Sequence, residues 1–133
     1  MDIRWSLKFL AMLHHEGVMV VDGDPAGNQF LAAVTERNFD AAFMAQRSKQ
    51  LPAGTLEEQL IADGLQPELK AILAAQGVAN AANLSDPDLV AALRGDKCGY
   101  AAELGAQCAA DPALTQRMPF ALREAIEALR ALP

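Results

Sequence analysis

Val18-Met19-Val20-Val21-Asp22-Gly23-Asp24-Pro25-Ala26-Gly27-Asn28 is the stretch on which the fold turns. Its first four residues form a short, wholly apolar and largely β-branched run, the pattern of a strand covered on both faces. Asp24 stands where a helix cap belongs, because Pro25 needs no N–H at a first helical position. Phe30, Leu31 and Val34 then recur at helical spacing. Strand, acidic loop and helix follow one another, which predicts an α/β unit. Upstream, Ile3, Trp5, Leu7 and Phe9 alternate as a strand would, yet Leu7 to His15 holds good helix formers with Gly17 as a stop, so a helix is expected there. Downstream, Phe39, Phe43 and Met44 suggest helix while Arg47 to Leu51 suits a second strand, and both readings stay open.

From Thr55 onward the punctuation is helical. Thr55 and Glu58 have capping-box spacing, with Gly64 as the stop. Pro67 starts a helix through Leu69, Ile72 and Leu73 that Gly77 ends. Ser85-Asp86-Pro87 opens another, through Leu89, Val90 and Leu93 to Gly95, and a further helix follows Asp96. Asp111-Pro112 begins a short one. Pro119 begins the last, where Leu122, Ile126 and Leu129 are expected to form a buried face opposite Arg123, Glu127 and Arg130. The fold class expected is α/β with few strands, followed by a helical C-terminal cap and mostly α by residue count. Residues 1–54 make the α/β segment and 55–133 the helical segment of the same domain.

The composition sets limits. The chain has 133 residues, 52% of them hydrophobic, a length and content suited to one folded domain. Its 11 basic and 17 acidic residues give a net charge of −6. Residues 1–54 hold 5 bases and 6 acids, and residues 55–133 hold 6 bases and 11 acids, so no broad basic face for duplex binding is legible. The apolar stretch from Trp5 to Val21 is broken by Lys8, His14, His15 and Glu16, which argues against a membrane span. No small-residue cleavage site follows it, and a cytoplasmic setting is expected. Cys98 and Cys108 fall on one predicted helix about 15 Å apart, beyond disulfide reach. We expect reduced packing residues, and the adjacent His14 and His15 diverge too much to join them in a zinc site.

Asp22 and Asp24 are the chemically pointed pair. They stand at the carboxyl end of a strand, where α/β sheets gather ligands. Two carboxylates one residue apart, on a loop loosened by Gly23 and Gly27, suit a hard cation such as Mg²⁺. The plainer alternative is that Asp24 caps its helix and Asp22 is a turn residue.

The run Val18 to Gly27 resembles the aspartate motif of Toprim domains, the metal-binding fold of primases, topoisomerases and related nucleases. ParA-type partition ATPases share an Asp-x-Asp-Pro-x-Gly-Asn stretch, but residues 1–17 hold no glycine-rich phosphate loop with a lysine. Three later segments resemble one Toprim branch, the OLD (overcoming lysogenization defect) family of ATP-dependent nucleases. They are Thr55-Leu56-Glu57-Glu58-Gln59-Leu60-Ile61, Gly95-Asp96-Lys97-Cys98-Gly99 and Met118-Pro119-Phe120-Ala121-Leu122-Arg123-Glu124-Ala125-Ile126. The order of aspartates, glutamate, lysine and final helix is kept along nearly the whole chain.

That resemblance implies a DNA nuclease using Mg²⁺ or Mn²⁺. Asp22 and Asp24 would hold a metal, Glu57 would complete or share a second site, Thr55 would orient a carboxylate or water, and Lys97 would neutralise charge on the scissile phosphate. Toprim domains carry a further acidic motif after an earlier strand, and OLD nucleases an ATPase domain before it. Here only Asp2 and Glu16 precede Asp22. The resemblance therefore implies the C-terminal portion of such a domain, completed by a protein partner or ATPase domain, with a second copy of the chain as another possible cover for apolar residues left exposed. The competing reading is a noncatalytic acidic helical module, an inhibitor, immunity or adaptor protein, whose carboxylates meet a basic partner.

Overall fold

The structure, a computed structural model, describes residues 18–36, 42, 48–52 and 54–131. The helix expected over Leu7 to His15 lies outside them. Strand β1, Met19–Val21, pairs in parallel with β2, Ser48–Gln50, in the register Met19 with Ser48, Val20 with Lys49 and Val21 with Gln50. Helix α1, Pro25–Thr35, connects onward from β1. Helices α2 (Leu56–Ala62), α3 (Gln66–Ala75), α4 (Asp86–Gly95), α5 (Lys97–Ala110), α6 (Pro112–Arg117) and α7 (Phe120–Arg130) follow, with a 3-10 turn at Ala81–Asn83. The chain is thus an α/β fold with a small parallel sheet, mostly helical, and helical throughout its C-terminal part.

Residues group into two compact units, one of Met1–Thr55 with Phe120–Pro133 and one of Leu56–Pro119. In the first unit α1 packs on β1, and α7 packs on both strands. Val21, Val34, Leu51, Ala121 and Ala125 are its buried apolar residues. Within β1 only Val21 is buried, whereas Met19 and Val20 are half-buried. That is less cover than the all-apolar run predicts, because each described strand has one neighbour. The stripe expected on the last helix is also displaced. Ala121 and Ala125 are buried, while Leu122 and Ile126 are only half-covered. Small side chains let the helix backbone approach the strands closely, and the larger ones flank the contact.

The second unit is built around Leu60, Leu65, Leu69, Ile72, Leu73, Leu89 and Leu93, all almost fully buried, with Tyr100, Leu104 and Leu114 beside them. Its helix ends follow the sequence signals. At Gly64, φ is +82°, the Gly64 amide donates to the Ile61 carbonyl and the Leu65 amide to the Leu60 carbonyl. Gly77, at φ +87°, repeats this pattern with Ala74 and Leu73. Both are left-handed closures that glycine adopts without steric cost. The Ser85 hydroxyl accepts from the Asp88 amide at 3.3 Å, and the Asp111 carboxylate from the Ala113 amide at 2.9 Å, so both caps form. Arg117 fastens α6 to α3, donating to both carboxylate oxygens of Glu68 and, at 2.9 Å, to the Gly64 carbonyl. Among the described residues no helix is long and apolar enough to cross a membrane.

Candidate functional site

The acidic loop leaves β1 at its carboxyl end and is held at every residue. The Val21 carbonyl accepts from the Leu51 amide at 3.0 Å, extending the ladder by one bond. Gly23 and Gly54 then exchange both backbone bonds, at 2.8 and 3.1 Å, in an antiparallel bridge. This bridge joins the loop after β1 to the loop after β2, so Asp22 and Asp24 flank one side of it and Thr55 adjoins the other. Asp24 also caps α1, its Oδ1 accepting from the Gly27 amide at 2.8 Å. The cap expected from the sequence is present, and it occupies one of the two carboxylate oxygens.

Gly27 matters by its lack of a side chain. It is buried, and a Cβ there would overlap the Asp22 carbonyl oxygen and meet the Asp22 carbonyl carbon at 2.9 Å. The loop therefore lies directly on the first turn of α1. Gln50, at the end of β2, closes the other side. Its Nε2 donates to the Asn28 Oδ1 at 2.7 Å and to the Asp22 carbonyl at 3.2 Å. Nothing in the sequence singles out Gln50, because an exposed glutamine at a strand end has no distinctive pattern.

Glu57 and Lys97 belong to the second unit. Glu57 stands in the first turn of α2 and is 4% exposed. Its Oε1 accepts from the Tyr100 hydroxyl at 3.0 Å, and Tyr100 is itself buried. Burying a carboxylate costs free energy unless its oxygens are bonded, so the phenol supports Glu57 there. Tyr100 went unread in the sequence, since a single tyrosine in a helix reads as core. Neighbouring Glu58 is exposed and pairs with Arg94 at 3.5 Å, a surface contact of small weight. Lys97 is the first residue of α5, exposed, and three residues before Tyr100. The structure thus brings Asp22, Asp24 and the backbone beside Thr55 together in one unit, and sets Glu57 against Tyr100 in the other.

The donor chemistry of the loop suits a hard divalent cation. Mg²⁺ is commonly held by one or two carboxylates, with waters and substrate phosphates completing its shell. Asp22 and Asp24 supply such oxygens, with Asp24 Oδ2 not used in the cap. Among the described residues no group of three or more His, Cys, Asp and Glu side chains is gathered as a metal centre. Elsewhere, Cys98 is exposed and Cys108 half-buried on α5. Burial pushes the Cys108 thiol above its ordinary value, the Thr115 hydroxyl draws it down, and Asp111 adds a further upward push. No known family's sequence profile, no curated protein and no solved structure matches the chain.

Proposed function

We propose that the chain carries the metal-binding part of a Toprim-type DNA nuclease of the OLD family, hydrolysing phosphodiesters with Mg²⁺ or Mn²⁺. The observation that carries this reading is the Gly23–Gly54 bridge, which fixes Asp22, Asp24 and Thr55 at the carboxyl edge of a parallel strand pair. Ligands gather at that edge in α/β sheets. In this reading Asp22 and Asp24 hold the cation and the Thr55 hydroxyl orients a carboxylate or water. A bound divalent ion supplies positive charge at the phosphate, which a chain of net charge −6 otherwise provides poorly. The resemblance also implies a metal role for Glu57 and a charge-neutralising role for Lys97, both of which belong to the second unit. In this reading a partner protein, an ATPase domain or a second copy acts together with the chain, and the setting is cytoplasmic.

A paramagnetic titration tests this. With Mn²⁺ added to isotope-labelled protein, amide signals of Gly23, Asp24, Gly54 and Thr55 are expected to broaden first, and Asp22→Ala to abolish that order. Uniform broadening over all acidic surface residues would contradict it.

A second reading, a noncatalytic acidic module binding a basic protein, is favoured by the structural work done by Asp24 Oδ1 and Glu57 Oε1. It requires no localised Mn²⁺ effect, and it gives partner binding that weakens steeply with salt.

A further inference from the structure

We infer that Gln50 is a positioning residue for the Asp22–Asp24 loop, acting on the cation through Asp22; this rests on the metal reading above. The Gln50 amide nitrogen carries two hydrogens, and it donates to two acceptors, the Asn28 Oδ1 at 2.7 Å and the Asp22 carbonyl at 3.2 Å. A single planar group therefore ties the end of β2 to the first residue of the loop and to the first turn of α1. The same carbonyl also lies close against Gly27, where no Cβ intervenes. One residue on, Gly23 is bonded in both directions to Gly54. The peptide that follows Asp22 is thus held by Gln50, by the close approach of Gly27 and by Gly54.

Partners outside the coordination shell that orient a ligand commonly change metal affinity by about 10–100-fold when removed. Gln50 and Asn28 are both exposed, so water replaces the lost bonds and folding stability depends little on them. A positioning role and a folding role therefore separate experimentally.

The test measures Mn²⁺ affinity, from the electron paramagnetic resonance signal of the free ion, on the full chain. The proteins compared are the native chain, Gln50→Leu, Asp22→Asn and the double variant, each with its thermal midpoint. Gln50→Leu is expected to weaken Mn²⁺ about tenfold with a nearly unchanged midpoint, and to add less than about twofold in the Asp22→Asn background, because interacting residues are non-additive. Gln50→Met, which keeps the side chain's length and charge but donates no hydrogen bond, is expected to give the same loss and covers any disturbance from leucine. Native affinity in both Gln50 variants, with Asp22→Asn weakened, overturns the positioning role and leaves the metal reading standing. Equal losses from Gln50→Leu in both backgrounds also overturn it, as does a lowered midpoint with unchanged affinity. Should Asp22→Asn bind Mn²⁺ as the native chain does, the metal reading itself falls and this inference with it.

Discussion

Single residues carry most of the tension in the acidic loop. Gly27→Ala would place a methyl group in the Asp22 carbonyl, and overpacking of this kind costs about 1–3 kcal/mol. We expect a urea midpoint lowered accordingly. Asp24→Ala removes the α1 cap and is expected to cost about 1 kcal/mol. Tyr100→Phe leaves Glu57 buried without its phenol donor, with an expected loss of about 1–3 kcal/mol in the same measurement. The sequence disclosed these three residues unequally. Asp24 before a proline announces its cap, since the local chemistry fixes the conformation. Tyr100 announces nothing, because its partner lies 43 residues away in the chain and only tertiary packing brings them together. Gln50 was hidden for the same reason, its acceptors being 22 and 28 residues distant.

Among the elements, helices were far more legible than strands. Ser85, Asp111, Gly64 and Gly77 each sit at a helix end and specify it through local hydrogen bonds, independent of what the helix packs on. Gly77→Ala, forced into a left-handed backbone, is expected to lower stability by about 1–2 kcal/mol. Strand β2 was ambiguous because Ser48-Lys49-Gln50 has no apolar alternation, and its pairing with β1 supplies the order that its side chains do not. On α7 the larger side chains Leu122 and Ile126 suggest the inward face but are only half-covered. Close helix–sheet contact instead selects Ala121 and Ala125. On α5 the two thiols should behave differently. Exposed Cys98 is expected to alkylate first at pH 8, whereas Cys108, half-buried and with its thiol pushed upward by burial, should react slowly until the pH rises further. Mass spectrometry of timed iodoacetamide reactions checks the order.

At the scale of the molecule, the principal apolar cluster lies wholly within Leu56–Pro119, and this unit holds its own caps and the Arg117 staple. Domains of about 60 residues often fold alone. We expect the excised segment 56–119 to be helical by circular dichroism and to melt cooperatively. The α/β unit is the part on which the proposed chemistry depends, through a loop anchored by Gly23, Gly54, Gly27 and Gln50. Its sheet was legible in one strand, and the bridge that unites the two loops was not, since glycine pairs leave no periodic trace. Calorimetric titration of Mg²⁺ into the native chain and into Asp22→Ala and Asp24→Ala tests the central claim most directly. Saturable binding in the native chain, weakened at least about tenfold in each variant, is the predicted result, and superimposable titrations for all three proteins would contradict it.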